Sequence, residues 1–224
     1  RDFGEYVHRI LRQFHKRFPV ATQVSRADLE AALTEISTQV FRDATEANYL
    51  SHAWRLRWTA MISAYLDWQL AREGEGWRFH AAEITRDIEI ALPAGRRLVL
   101  QGRLDRVDER SAEGMTVYAV LDYKTRSAKA LADSLREAGE DVQLPVYVEL
   151  LAQPVTAAQF VSLDREVTDV PLDDDALADT GRAIDRLQAM FAAIYDGAPL
   201  PAQGIDAVCG YCEMRGLCRK EYWI

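Results

Sequence analysis

The stretch RLVLQGRLDRVDERSAEGMTVYAVLDYK, residues 97–124, decides how this chain is read. Its two halves are strands. Residues 97–108 follow a turn at Leu92-Pro93-Ala94-Gly95, residues 109–115 contain Gly114 and read as a hairpin loop, and residues 116–124 form the return strand. The return strand is apolar on both faces: Val117, Ala119 and Leu121 point one way, Tyr118 and Val120 the other. A strand of that kind is central and buried, yet this one ends in Asp122 and Lys124. Two residues apart in a strand, carboxylate and ammonium project side by side. The preceding strand sets Arg103, Asp105 and Val107 on one face. A register that places Asp122 near Arg103 makes Asp105 and Asp122 converge, and a one-residue slip separates them.

Two carboxylates that converge at the end of a buried sheet repel unless a positive group lies between them. A divalent cation with hard oxygen ligands is one such group. A lysine beside it is suited to orienting water and offsetting charge on a phosphate. The plainer alternative is a buried Asp–Lys ion pair with Asp105 at a turn.

Outward from this hairpin the pattern is helical at first. Phe3, Val7, Ile10, Leu11, Phe14 and Phe18 recur at helical spacing up to Pro19. Residues 26–40 and 46–72 read as two further helices, the second with a core stripe of Trp54, Trp58, Met61, Ile62, Tyr65 and Trp68. Residues 81–91 are a strand that precedes the hairpin. Helical character returns at 128–153, a short apolar strand spans 157–163, a helix covers about 173–196, and an irregular cysteine tail follows Pro199 and Pro201. This order predicts one α/β domain with a mixed sheet and a helical insertion. The helical part is expected over about 1–75, the catalytic core over about 78–200 and the tail over 201–224.

The chain has 224 residues, 49% of them hydrophobic and 28% charged, which excludes disorder and collagen-like repeats. There is no apolar run of the ~20 residues a membrane span needs and no P-loop motif. The net charge of -8 is unlike that of an independent nucleic-acid binder, although carboxylates gathered round a metal inflate it and a larger assembly can supply basic surface. All three cysteines, Cys209, Cys212 and Cys218, lie in a C-x2-C-x5-C cluster. An odd, clustered set argues for a metal or iron–sulfur site rather than disulfides, and for a reducing, cytoplasmic compartment.

Taken together, G-R-L-D-R-V-D at 102–108, the hairpin and L-D-Y-K-T at 121–125 resemble two motifs of the PD-(D/E)XK nuclease superfamily, with greatest likeness to the RecB/AddB-type exonuclease domain. F-G-E-Y-V-H at 3–8 is similar to that family's histidine helix, Q-L-P-V-Y at 143–147 to its Q-x-x-x-Y helix, and the cysteine tail to its iron–sulfur members. The resemblance covers nearly the whole chain. It implies a restriction-endonuclease-like α/β core, a mixed central sheet flanked by helices, with an N-terminal helical insertion and a cysteine-bearing C-terminal tail.

The resemblance also implies roles. His8, Asp105 and Asp122 would bind Mg2+ or Mn2+, with the Tyr123 carbonyl also facing the metal. Lys124 would be the catalytic lysine, and Gln143 and Tyr147 would face the DNA or the active site. Glu83 occupies the region of a variable acidic motif. Apart from the resemblance, Arg103, Arg106, Arg126 and Lys129 flank the site in sequence and are candidate phosphate contacts, the alternative being solvated strand and loop ends. The cysteines would hold a [4Fe–4S] cluster with a fourth cysteine from upstream. Because the chain begins without Met inside the histidine helix, it reads as a fragment of a longer protein: either the fourth cysteine lies just before Arg1, and the fragment has lost the cluster, or another residue supplies the fourth ligand.

The implied activity is metal-dependent DNA cleavage in double-strand-break repair, on single-stranded or unwound ends, beside a helicase subunit. The alternatives are a non-catalytic, cluster-clamped DNA-binding or scaffolding module, a zinc-binding interaction domain, and a CRISPR-associated adaptation nuclease. The helical insertion favours the helicase-associated family over the last of these.

Overall fold

The computed structural model describes residues 2–45, 50–136, 141–199, 209–210 and 212–218. Three helices come first: α1 (Asp2–Arg17), α2 (Arg26–Thr45) and α3 (Leu50–Gly74). Three antiparallel strands follow, β1 (Arg78–Ala91), β2 (Arg97–Ala112) and β3 (Met115–Lys124). After β3 come α4 (Ala128–Arg136), α5 (Gln143–Leu151), β4 (Val155–Leu163), β5 (Val167–Pro171), α6 (Asp174–Ala178), α7 (Gly181–Tyr195) and the short α8 (Arg215–Cys218). The strand order is β1-β2-β3-β4-β5, with β3 parallel to β4 and the other pairs antiparallel. The mixed α/β sheet expected from the sequence is therefore present, with β3 at its centre. The β3-to-β4 link crosses over through α4 and α5, as a parallel pair requires.

The two apolar faces of β3 feed two cores. Val117, Ala119, Leu121 and Tyr123 pack with α1, α2 and α3, around Phe14, Leu33, Trp58 and Tyr65. Val120 packs on the other side with Leu131 of α4, Leu144 and Leu150 of α5, and Phe160 of β4. The sheet is thus a middle layer, and the helical part shares its core with the strands. Among the described residues no helix is long and apolar enough to cross a membrane.

Several sequence expectations need correction. The expected loop 109–115 is mostly strand: the ladder runs to Ala112 opposite Met115, and the turn is only Glu113 and Gly114, at φ 51° and 80°. Two consecutive positive φ values give the hairpin turn that matches strand twist, and glycine at the second position avoids a Cβ penalty. The helical reading of 128–153 divides into α4 and α5, with residues 137–140 outside the described set. The expected helix at 173–196 divides at Asp179–Thr180. Strand β5 was not expected; it is a five-residue edge strand that ends in proline, as suits an edge. Residues 46–49 of the expected third helix and most of the tail also lie outside the described residues.

Candidate active site

The β2–β3 ladder pairs Val107 with Val120 and Arg106 with Leu121. Continued by one residue, it brings Asp122 level with Asp105 rather than near Arg103. The difference from the expected register is two residues, an even number, so the shared face survives. Both carboxylates are buried, Asp105 8% and Asp122 2% exposed. The Tyr123 N–H donates to Asp105 Oδ2 at 3.0 Å. Burial, with the negative charge of Asp105 next in importance, raises the Asp122 pKa to about 7 against the pull of Lys124 and His8. Two carboxylates this close and this dry do not both ionise comfortably without a further positive charge.

Lys124 stands 2.7 Å from Asp122 Oδ2 and donates to Gln143 Oε1 at 2.7 Å. Gln143 in turn donates from Nε2 to Asp122 Oδ1 at 2.7 Å and to the Tyr147 hydroxyl at 2.8 Å. Gln143 and Tyr147 are four apart on α5 and share a face. Gly102 explains how that face reaches the strands. A Cβ there would come within 2.5 Å of Leu150 Cδ1 and 3.2 Å of Tyr147 Cε1. A side chain at this position would have to push the Leu150 and Tyr147 side chains aside for α5 to settle this close over β2.

From the other layer, α1 delivers His8. Its Nε2 lies 2.9 Å from the Tyr123 carbonyl and its Nδ1 lies 3.3 Å from Asp105 Oδ1. Burial alone would lower its pKa, but Asp105, the Tyr123 carbonyl and Asp122 outweigh burial and raise it. Glu83 joins this side. Ligand atoms of His8, Glu83 and Asp105 lie within 4.8 Å of one another, the group of potential metal ligands that the described residues bring together. Glu83 sits in β1 at φ 55°, a left-handed backbone conformation that an ordinary residue in a strand rarely adopts. Its carboxylate also pairs with Arg103 Nε at 3.1 Å.

These residues line one open cleft of ≈ 840 Å³, together with Arg9, Arg12, Arg103 and Arg126. Arg9 and Arg12 did not figure in the sequence reading, although Arg12 is four residues from His8 and so shares its helix face. Two expected phosphate contacts are corrected. Arg106 is only 1% exposed and lies on the opposite face of β2, because adjacent strand residues alternate. Lys129, in the first turn of α4, lines a separate hollow with Asp169 and Val170.

The donors suit a small divalent cation. They are hard oxygens with one imidazole, and Asp122 Oδ2 is buried and accepts no hydrogen bond although the Lys124 ammonium is in ionic contact with it. The cysteines fit their expected group less well. Cys209 and Cys218 are partly buried and Cys212 is exposed, and the three provide one thiolate fewer than a four-ligand site.

A family model for the PD-(D/E)XK nuclease superfamily matches residues 1–219. Over 73 residues the chain is 36% identical to a subunit of the ATP-dependent helicase/deoxyribonuclease of Clostridium perfringens strain 13, and 34% identical to the corresponding subunit of strain SM101. The matched segment is 33% of this chain and 6% of each relative.

Proposed function

The chain belongs to the PD-(D/E)XK nuclease superfamily, and from that premise we propose that it is the nuclease domain of a DNA-processing enzyme, a Mg2+- or Mn2+-dependent deoxyribonuclease acting as an exonuclease. The observation that carries this reading is the pair of buried carboxylates from adjacent strands with an ammonium tied to one of them through Gln143. A divalent ion held by His8, Asp105 and Asp122, with Glu83 and the Tyr123 carbonyl at hand, would supply Lewis acidity and lower the pKa of a water.

The chain's own groups do the remainder. Lys124, fixed between Asp122 and Gln143, orients the attacking water and offsets negative charge as it grows on the phosphate. Gln143 fixes the ammonium and carboxylate relative to one another, and Tyr147 holds Gln143. Arg9, Arg12, Arg103 and Arg126 take phosphates along the cleft. Such contacts position a strand without reading its sequence, which fits an enzyme that degrades DNA ends of any sequence.

The likeness to helicase/deoxyribonuclease subunits supports DNA as the substrate and a helicase as partner; we place the activity in double-strand-break repair or recombination, on single-stranded or unwound ends, in the cytoplasm. We also assign Cys209, Cys212 and Cys218 as three ligands of a [4Fe–4S] cluster, on the C-x2-C-x5-C spacing and the resemblance of the tail to iron–sulfur members of the family. The test of the core reading is cleavage of end-labelled single-stranded DNA during Mg2+ and Mn2+ titration, with D105N as control. Metal-dependent shortening that D105N loses supports it. Cleavage that persists in EDTA, or that D105N retains, overturns it.

A further inference from the structure

Behind the acidic pair, on the opposite face of the sheet, lies a buried polar cluster that the mechanism above leaves unused. At its centre Arg106 grips Asp108, Nε to Oδ1 at 2.6 Å and Nη2 to Oδ2 at 3.0 Å. Its Nη1 donates to the Tyr123 hydroxyl at 3.0 Å, to Gln69 Oε1 at 2.8 Å and to His15 Nε2 at 3.0 Å. The Tyr65 hydroxyl lies 2.9 Å from that of Tyr123 and 2.6 Å from His15 Nε2. Arg72 closes the far side on Asp108 at 2.6 Å. The cluster joins α1, α3, β2 and β3. An apolar core of the same volume would stabilise these elements as well or better, so the arrangement calls for a role besides stability.

Two of its members are mechanically attached to the site. Tyr123 lies between Asp122 and Lys124 in sequence, and its backbone serves the site at both ends: the N–H holds Asp105 and the carbonyl faces His8. His15 is seven residues along α1 from His8, two turns away and on the same face. Holding His15 therefore fixes the rotation of α1 that aims His8. Holding the Tyr123 hydroxyl fixes the strand segment that presents the carbonyl. Resting on the nuclease reading above, we infer that the Arg106–Tyr65–Tyr123–His15 cluster positions the cation site, aligning from behind two ligand groups that come from different layers of the fold.

The test is Mn2+ binding, read from the electron paramagnetic resonance signal of free Mn2+, for wild type, Y123F, Y65F and D105N, with thermal unfolding in EDTA recorded alongside. Y123F keeps the ring and removes only the anchored hydroxyl. The expected result is about tenfold weaker Mn2+ binding, the scale of losses when a group supporting a metal ligand is removed. Cleavage at saturating Mn2+ should then recover toward the wild-type rate, since the damage is to alignment. Y65F should weaken binding in the same direction and less, and it carries the measurement if Y123F does not fold. Mn2+ affinity within twofold of wild type in the folded variants, while D105N abolishes binding, overturns the positioning role and leaves the nuclease reading standing. Undiminished binding in D105N overturns the cation site itself, and the positioning role with it.

Discussion

Replacing Asp122 by asparagine should stabilise the metal-free protein at alkaline pH while abolishing its cleavage activity. The Asp122 carboxyl titrates near 7 in the fold against a reference value of 3.8, with burial the leading cause and Asp105 the second. A raised folded pKa contributes stability that is complete below the unfolded value and is lost as pH climbs through the folded one. In the absence of metal, wild type should thus lose stability between about pH 4 and pH 7. The span is about three pH units at about 1.4 kcal/mol each, a ceiling of about 4 kcal/mol.

Asparagine has the same shape and never ionises, but with its Oδ1 accepting from Gln143 Nε2, as Asp122 does at 2.7 Å, its Nδ2 faces the Lys124 ammonium that Asp122 Oδ2 meets at 2.7 Å. Lys124 keeps its bond to Gln143 Oε1. Against the cost of that donor–donor contact, about 1–3 kcal/mol, the variant should gain about 1–3 kcal/mol over wild type at pH 8 in EDTA and nothing at pH 5, where the folded wild type is still protonated. The assay is urea unfolding at both pH values, with and without Mg2+, beside cleavage of labelled single-stranded DNA. Mg2+ should raise the urea midpoint of wild type and leave that of D122N in place, because a ligand stabilises only the state that binds it. A D122N protein less stable than wild type at pH 8 in EDTA, or one that cleaves normally, refutes the reasoning that the acidic pair is held under strain for a cation.

K124M should lower the cleavage rate by about 10²-fold or more while Mn2+ binding persists, since an ammonium aimed at developing charge acts on the rate step; loss of Mn2+ binding in parallel would contradict that division of labour. G102A should cost about 1–3 kcal/mol, because the added methyl meets Leu150 and Tyr147; an unchanged urea midpoint would show that α5 is not held so close. His15 is held neutral, its pKa driven well below 6.5 by burial first and then by Arg106. A depressed folded pKa on a base means the unfolded chain takes up protons first, so stability should fall as pH drops below about 6.5, by up to about 1.4 kcal/mol per pH unit. Measured in D122N, where the opposing trend of Asp122 is gone, a flat profile between pH 6.5 and 5 would refute a neutral buried His15.

Strand parity was legible from the letters alone. The doubly apolar run before Asp122 placed β3 at the centre of the sheet, and the spacing of two put Asp122 and Lys124 on one face. The register was harder, because the turn was hidden. Glu109, Arg110 and Ser111 continue β2 as polar, partly or fully exposed residues, and only Ala112 after them packs against a core, so hydropathy reads the segment as loop although the ladder runs through it. Strand β5 escaped for a related reason: five residues at an edge, with Asp169 and Pro171 among them, leave little apolar signal. Glu83 was a weak candidate on sequence because the acidic motif it falls in is variable, and the left-handed backbone at that position is something no local pattern announces.

Arg106 is the instructive miss. Read as one of several arginines near an acidic site, it belonged with the phosphate contacts. Read by parity, G-R-L-D-R-V-D holds two messages on opposite faces. The odd positions carry Arg103 and Asp105 toward the cleft, while Arg106 and Asp108 form an ion pair two residues apart within the strand, at 2.6 Å, on the buried side. That pair mirrors the D-x-K on β3, which also places opposite charges two apart on one face. A chain that buries an Arg–Asp pair immediately behind an Asp–Asp pair gives the two faces different electrostatic tasks. The Arg–Asp face is held rigid because the Asp108 carboxylate is gripped by both Arg106 and Arg72. The cleft face keeps Asp105 and Asp122 side by side and out of water, and burial first, then Asp105, raises the Asp122 pKa although Lys124 and His8 pull it down. A proton or a cation from outside relieves that opposition, and the rigidity of the first face is what keeps the second from relaxing to relieve it by moving apart.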